Sequence, residues 1–362
     1  MKLFFTIIVA LFNLCIGTVW AQDTTATKEK KVAISVFPAV GFSPETSLQL
    51  GGLGSIGFNS TLTDSSGFQR PSTINPFILY TLNNQLLFGT ESEFFFKKGW
   101  NLYSFFRYYI YPEFYFGLGS NTEGEDQETF TRQLFRVNGR LSKTYDQRFF
   151  YGVVFDVENA QLSDFEEEGL LLQQNPLGQE GGWLWGIGPS LRFDNRNHAV
   201  YPSRGGLYAL EVLFYNGDYQ YINYSLDLRQ FFSIGSEKNI IGTQLFLDLT
   251  SNEDIPFYRL PRIGGQRALR GIFENRYIDR QAAYLQTEYR RDLFWRFGAV
   301  AFAGVGKVFP DWDRFGENDL KYAFGVGLRL QVLPSQKVNV RGDFGFGSDG
   351  QTGLYFTYRE AF

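Results

Sequence analysis

The sequence predicts an all-β fold, a 16-stranded antiparallel transmembrane β-barrel, on three observations. Segments about ten residues long alternate with period two, carrying several charges on one face and bulky apolar residues on the other. Aromatic residues make up 18% of the chain, with 39 Phe, 21 Tyr and 39 Gly, an excess that an ordinary soluble core does not carry. No stretch reaches the roughly 18 to 20 apolar residues that a spanning helix needs.

The chain opens on a secretory signal over 1–21. Met1-Lys2 starts positive, Leu3 to Ile16 is apolar with one break at Asn13, and Val19-Trp20-Ala21 offers a small-residue cleavage site. Cys15 is the only cysteine and Met1 the only methionine, so the mature chain has neither. This excludes disulfides, thiol catalysis and cysteine-ligated metals. Leu14 before Cys15 disfavours lipidation. A short periplasmic tail, 22–31, leads into the barrel domain, 32–362.

Strands are expected at 32–43, 46–58, 72–83, 85–97, 101–117, 130–143, 148–162, 183–194, 206–215, 219–233, 239–250, 281–292, 295–308, 320–332, 337–347 and 352–362. Three segments show the two faces clearly. Arg132, Arg136, Asn138 and Arg140 oppose Phe135, Val137 and Leu141. Tyr221, Asn223, Ser225, Asp227 and Arg229 oppose Ile222, Tyr224, Leu226 and Leu228. Lys321, Arg329 and Gln331 oppose Tyr322, Phe324, Val326, Leu328 and Leu330. A wet lumen and a lipid-facing exterior suit such strands, and the bilayer demands closure because an unpaired edge costs several kcal/mol per backbone group. An even strand count returns the chain end to the periplasmic side. Short turns fall at 97–100, 143–147, 235–238 and 334–337, and long connectors on the other side at 118–129, 163–182, 251–280 and 309–319; the turn near 59–71 is longer than this rule expects. Trp100, Trp183, Trp295 and Trp312 fall near strand ends, where interfacial girdles form. Phe362 ends the last strand in a row with Leu354, Phe356 and Tyr358, interrupted by Glu360.

Three motifs carry a more specific signal. The longest connector contains GGQRALRGIF, with Leu269, Arg270, Gly271, Ile272 and Phe273 at its tip. The segment Phe193 to Tyr208, FDNRNHAVYPSRGGLY, holds Asp194, Arg196, Pro202 and Gly205. The fifteenth strand reads RGDFGFG, placing Arg341 and Asp343 inward, and the twelfth places Gln286, Glu288 and Arg290 on its polar face. Together, in this order and with VFPAVGFSPETSLQLGG at 36–52, they resemble the barrel of the BamA/TamA superfamily (the bacterial surface antigen barrel domain), in a single-barrel branch without periplasmic POTRA domains.

That resemblance implies that the sixth extracellular loop folds back into the barrel and that its arginine docks on the inner wall. A guanidinium entering a lumen needs acceptors and pairs best with carboxylates. The family's thirteenth strand usually carries Phe-x-Asp-x-Gly. This chain reads Phe302-Ala303-Gly304-Val305-Gly306, so Arg270 must turn to Glu288, Asp343 or elsewhere. The resemblance also implies the function: assisting insertion or translocation of polypeptides through a lateral seam between the first and last strands, with Pro38 and Phe362 at that seam. Pro38 cannot donate a ladder bond, which fits a weak seam as well as it fits a bulge. Outer-membrane lipids, polypeptide clients or a periplasmic accessory protein are the implied partners. The alternative is a pore or lipid-handling barrel of the same architecture.

Other classes find little support. A net charge of −4 gives no basic excess for nucleic acid. His198 is the only histidine and falls in a periplasmic turn, so no His-based catalytic site is expected and the chain reads as a non-enzyme without cofactor or metal. The acidic stretches at 124–128 and 164–168 lack the glycine-spaced pattern of a calcium loop and read as solvated loop surface.

Overall fold

Two-faced strands in a bilayer have one way to satisfy their backbones, and the chain adopts it. A computed structural model describes residues 32–58, 72–146, 148–251, 254–317, 320–334 and 337–362. The signal segment, the tail and the 59–71 turn lie outside the described residues.

Sixteen strands form one closed antiparallel barrel. They are β1 (Val32–Ser43), β2 (Ser47–Phe58), β3 (Ser72–Thr81), β4 (Leu86–Phe96), β5 (Trp100–Tyr115), β6 (Glu128–Thr144), β7 (Phe149–Ser163), β8 (Gly182–Asp194), β9 (Gly205–Gly217), β10 (Tyr221–Ile234), β11 (Ser236–Thr250), β12 (Gln281–Asp292), β13 (Phe297–Phe309), β14 (Lys321–Leu333), β15 (Val338–Gly347) and β16 (Thr352–Tyr358). The two faces separate as the alternation requires. In β14, Lys321, Ala323 and Arg329 are buried toward the lumen, while Tyr322, Phe324, Val326 and Leu328 are exposed on the outer surface. Trp100, Trp183, Trp295 and Trp312 are exposed close to strand ends on both sides.

The wall is uneven in height. β5, β6 and β7 have 16, 17 and 15 residues. β15 has 10 and β16 only 7. The expected sixteenth strand, 352–362, is therefore four residues too long. Arg359 has a left-handed backbone (φ 65°), which turns the chain out of the sheet. Phe362 does not stand at the seam: it is buried inside the barrel against Phe231. The cause is local. In a continued strand Glu360 would share the row of Phe356 and face lipid, whereas turned inward it accepts from Arg329 Nε at 2.7 Å.

Residues 254–280 of the long connector descend into the lumen. Its arms pair as a short ladder, Arg262 opposite Ile278 and Ile263 opposite Tyr277. Where it enters, an apolar cluster that includes Tyr115, Phe130, Leu171, Tyr215, Phe257 and Tyr258 fills the outer mouth of the barrel.

Candidate functional site: the docked loop and the seam

The loop tip lies against the lumen face of β12 to β16. Its approach depends on glycine. A Cβ on Gly271 (φ 116°) would stand 2.6 Å from the backbone of Phe346. The wall is bare to match. A Cβ on Gly345 would meet the Arg270 carbonyl at 2.3 Å, one on Gly347 would meet Ile272 at 2.8 Å, and those on Gly304 and Gly306 would strike Leu269 at 2.6 and 2.8 Å. Alternate glycines on β13 and β15, the strands on either side of β14, thus pave a trough for the tip. The position where the family resemblance expects an aspartate is Gly304, and the space is taken by Leu269.

Arg270 bridges both acids that the sequence singled out. Nη1 donates to Asp343 Oδ2 at 2.5 Å and Nη2 donates to Glu288 Oε1. The three side chains are fully buried. The Phe302 ring lies 3.7 Å from the guanidinium, a cation–π contact on the strand that lacks the family's acid. Each acid also holds wall arginines. Arg290 Nε donates to Glu288 at 2.8 Å, Arg329 Nη1 to Asp343 at 2.5 Å and Arg341 Nη1 to Asp343 at 2.7 Å. Arg341 reaches the loop as well, through Nη2 to the Gln266 carbonyl at 2.7 Å. Backbone contacts complete the dock: Gly271 N donates to the Tyr355 hydroxyl at 3.1 Å and Leu269 N to Gln286 Oε1 at 3.2 Å. Phe273 packs edge-on against Phe114 and Phe116.

A second anchor escaped the sequence reading. Arg259, in the descending arm, donates to Glu158 at 2.9 Å and to Asp156 at 3.1 Å, both on β7 across the lumen from the tip. Arg136 binds the same pair, at 2.5 Å to Asp156 and 3.4 Å to Glu158. The loop is thus a strut pinned to two walls. Beside this anchor lies a polar cavity of about 380 Å³ walled by residues that include Arg107, Arg132, Asp156 and Glu211.

The turn 195–204 is built by its motif residues. Arg196 and Asp194 form two parallel bonds at 2.9 and 2.8 Å. Gly205 (φ 89°) lets the chain pass the Asn195 carbonyl, which a Cβ would meet at 2.3 Å. Pro202 is buried. His198 Nδ1 accepts from the backbone of Val200 at 3.2 Å and Tyr201 at 3.1 Å, a turn-holding contact.

At the seam, β1 and β16 register through one pair, Phe42 opposite Phe356. β1 pairs with β2 along its whole length, from Val32–Phe58 to Ser43–Ser47. Its other edge, from Val32 to Gly41, has no registered partner strand among the described residues. Pro38 lies on this edge, and its carbonyl accepts from the Tyr358 hydroxyl at 3.1 Å. Val32, Ile34 and Val36 point outward and are exposed. Among the described residues no group of His, Cys, Asp and Glu is arranged to hold a metal.

The sequence model described as the Omp85 superfamily domain matches residues 45–358. No curated protein matches the chain. Among solved structures, BamA from Haemophilus ducreyi lacking POTRA domains 1–3 aligns with a TM-score of 0.61 at 14% identity, over 92% of this chain and 71% of that one. CdiB from Acinetobacter baumannii aligns with a TM-score of 0.61 at 14% identity, over 91% of this chain and 60% of that one. CdiB from Escherichia coli gives 0.59 and 14%, over 92% and 64%. At these identities the likeness is one of fold, and the chain spans less than two thirds of either CdiB.

Proposed function

The chain belongs to the Omp85 superfamily, and from that membership we propose that it acts in the outer membrane of a Gram-negative bacterium, assisting insertion or translocation of polypeptides through the seam between β1 and β16. One observation carries this reading. The seam holds a single registered pair, while the next weakest junctions, such as β15 with β16, hold seven or more. A bare strand edge presents donors and acceptors in a row, and an incoming strand can satisfy them by adding to the sheet. Pro38 removes one donor and weakens closure of the edge by β16 itself.

The rest of the molecule supports the same route. The outer mouth is packed with aromatic side chains and the lumen is crossed by the loop, so a client has no open path along the axis while the loop is docked. Arg270, held by Glu288 and Asp343, keeps β12 to β15 as one rigid wall against which the seam can yield. Client polypeptides, outer-membrane lipids at the seam and a periplasmic accessory protein are the partners this task needs.

Deletion of the protein in cells tests the proposal. Reduced levels of specific folded barrels in the outer membrane are expected. An unchanged outer-membrane protein profile, together with liposome conductance that persists in Arg270→Ala, would replace it with a pore or lipid-handling role.

A further inference from the structure

We propose that the turn joining β12 to β13 binds an anionic phospholipid of the leaflet on its side, with Arg291 and Arg296 holding the headgroup phosphate and Phe294 and Trp295 seated against the glycerol and upper acyl chains. The proposal concerns the membrane around the barrel and does not rest on the seam.

The sequence at this turn, Tyr289 to Phe297, reads YRRDLFWRF. Along β12 the side chains alternate. Glu288 and Arg290 are buried in the lumen, while Leu285, Tyr289 and Arg291 are exposed on the outer face. Arg291 therefore stands in the row that faces lipid, opposite Ala299 and one outward position from Phe297. No acid pairs with Arg291 or Arg296 among the described residues. Asp292, the only acid between Tyr289 and Phe297, continues the lumen row and accepts from the Tyr201 hydroxyl at 3.2 Å. The neighbouring turn between β10 and β11 differs, because it carries an acid of its own, Glu237, 4.0 Å from Arg204.

An arginine in a lipid-facing row is tolerated only close to the interface, where a phosphate can serve as its counter-ion. The length of the strand puts it there. β13 has 13 residues. At about 3.4 Å per residue and a tilt of about 40°, such a strand rises about 34 Å, against an apolar band about 25 Å tall. The turn below it thus reaches the headgroup layer, and the long stem of Arg291 lets its guanidinium reach the same level.

The aromatic residues of the turn point to the same partner. Trp295 has φ 49°, the left-handed region where a bulky side chain is rare and glycine is usual. No core contact compensates for this: Leu293, Phe294 and Trp295 are 46%, 69% and 76% exposed. The Phe294 and Trp295 rings lie 5.4 and 5.7 Å from Phe297, and the Arg296 guanidinium stands 5.3 Å from the Trp295 ring. Rings of this kind settle at headgroup level. Alone they would take any headgroup. Two guanidiniums without acids beside them select a lipid whose phosphate is not neutralised by an ammonium group of its own.

The test uses the full-length protein in detergent, with folding checked by heat-modifiable gel mobility. Native mass spectrometry after addition of phosphatidylglycerol or phosphatidylcholine should show the parent retaining the first lipid at least fivefold more than the second. Arg291→Gln with Arg296→Gln should bring that ratio close to one. Arg204→Gln should keep the parent's ratio. Trp295→Gly relaxes the backbone, so it should keep the parent's unfolding midpoint in lipid-free detergent while retaining several-fold less phosphatidylglycerol. A second readout fixes what the turn faces. Trp20 lies in the expected signal, so replacing Trp100, Trp183, Trp185 and Trp312 by Phe leaves Trp295 as the reporter. In phosphatidylglycerol vesicles its emission should be quenched by lipids brominated high on the acyl chain and shielded from acrylamide. An unchanged lipid ratio in the double variant, or a Trp295 quenched by acrylamide and not by brominated lipid, as a turn facing a soluble partner would be, would overturn the inference.

Discussion

The two sides of this barrel solve the same problem, holding strands together in lipid, in opposite ways. On the β12–β15 side, Arg270, Glu288 and Asp343 are fully buried, and each acid is bound by at least two arginines. On the β1–β16 side one registered pair closes the cylinder. A buried ion network is strongly destabilised when one member is lost and resists gradual deformation. A short seam costs little to part. The contrast teaches that this chain concentrates stiffness where its loop docks and leaves compliance at the edge beside it.

The largest effect is expected from removing the dock. Arg270→Ala leaves Glu288 to Arg290 and Asp343 to Arg329 and Arg341, but it removes two fully buried charge-assisted bonds and opens a cavity, and should cost about 3–5 kcal/mol. Unfolding in detergent, followed by heat-modifiable mobility, should show a lowered midpoint. Stability equal to the parent's would remove the distinction between the two walls.

Arg259→Ala should cost less, about 1.5–3 kcal/mol by loss of charge-assisted bonds, because Arg136 still neutralises Asp156 and Glu158. Its clearer sign should be a rise in liposome conductance, since the descending arm and the aromatic seal move with it. Gly271→Ala should cost about 1–3 kcal/mol through backbone strain at φ 116° and the clash with Phe346. Protease access to the loop tip would report it.

The smallest effect concerns pH at the turn 195–204. Burial, helped by Lys337 and Arg196, holds His198 below the usual histidine range. Nδ1 accepts two backbone N–H groups, so it must stay unprotonated. A folded value lower than the unfolded one, about 6.5, means that the turn's stability is complete above that pH and is lost as pH falls through the folded value. Protection factors for the Val200 and Tyr201 amides, corrected for the intrinsic pH dependence of exchange, should therefore fall between pH 7 and pH 5, and His198→Ala should abolish that dependence.

Much of this was legible in residue order. Period-two alternation gave the wall and its two faces, and the LRGI tip with Glu288 and Asp343 pointed to the dock. Other features were hidden for physical reasons. Asp156 and Glu158 share a lumen face, and i, i+2 carboxylates look alike whether or not a loop arginine will cross the barrel to meet them. The trough of Gly304, Gly306, Gly345 and Gly347 did leave a signal, Gly-x-Gly on β13 and again on β15, which reads equally as strand weakness until something is seen to lie in it. Phe362 misled because its row with Phe356 and Tyr358 is a local pattern, whereas its fate is decided by Glu360, which pairs with Arg329 on a different strand.

The seam itself is best tested by locking it. Phe42 and Phe356 are directly opposed, and no other cysteine is expected in the mature chain, so Phe42→Cys with Phe356→Cys can be joined by a disulfide. If polypeptides leave or enter through this edge, the oxidised protein in cells should lose function as completely as a deletion and regain it on reduction, with each single variant active. Full function in the oxidised, crosslinked protein would contradict a lateral route.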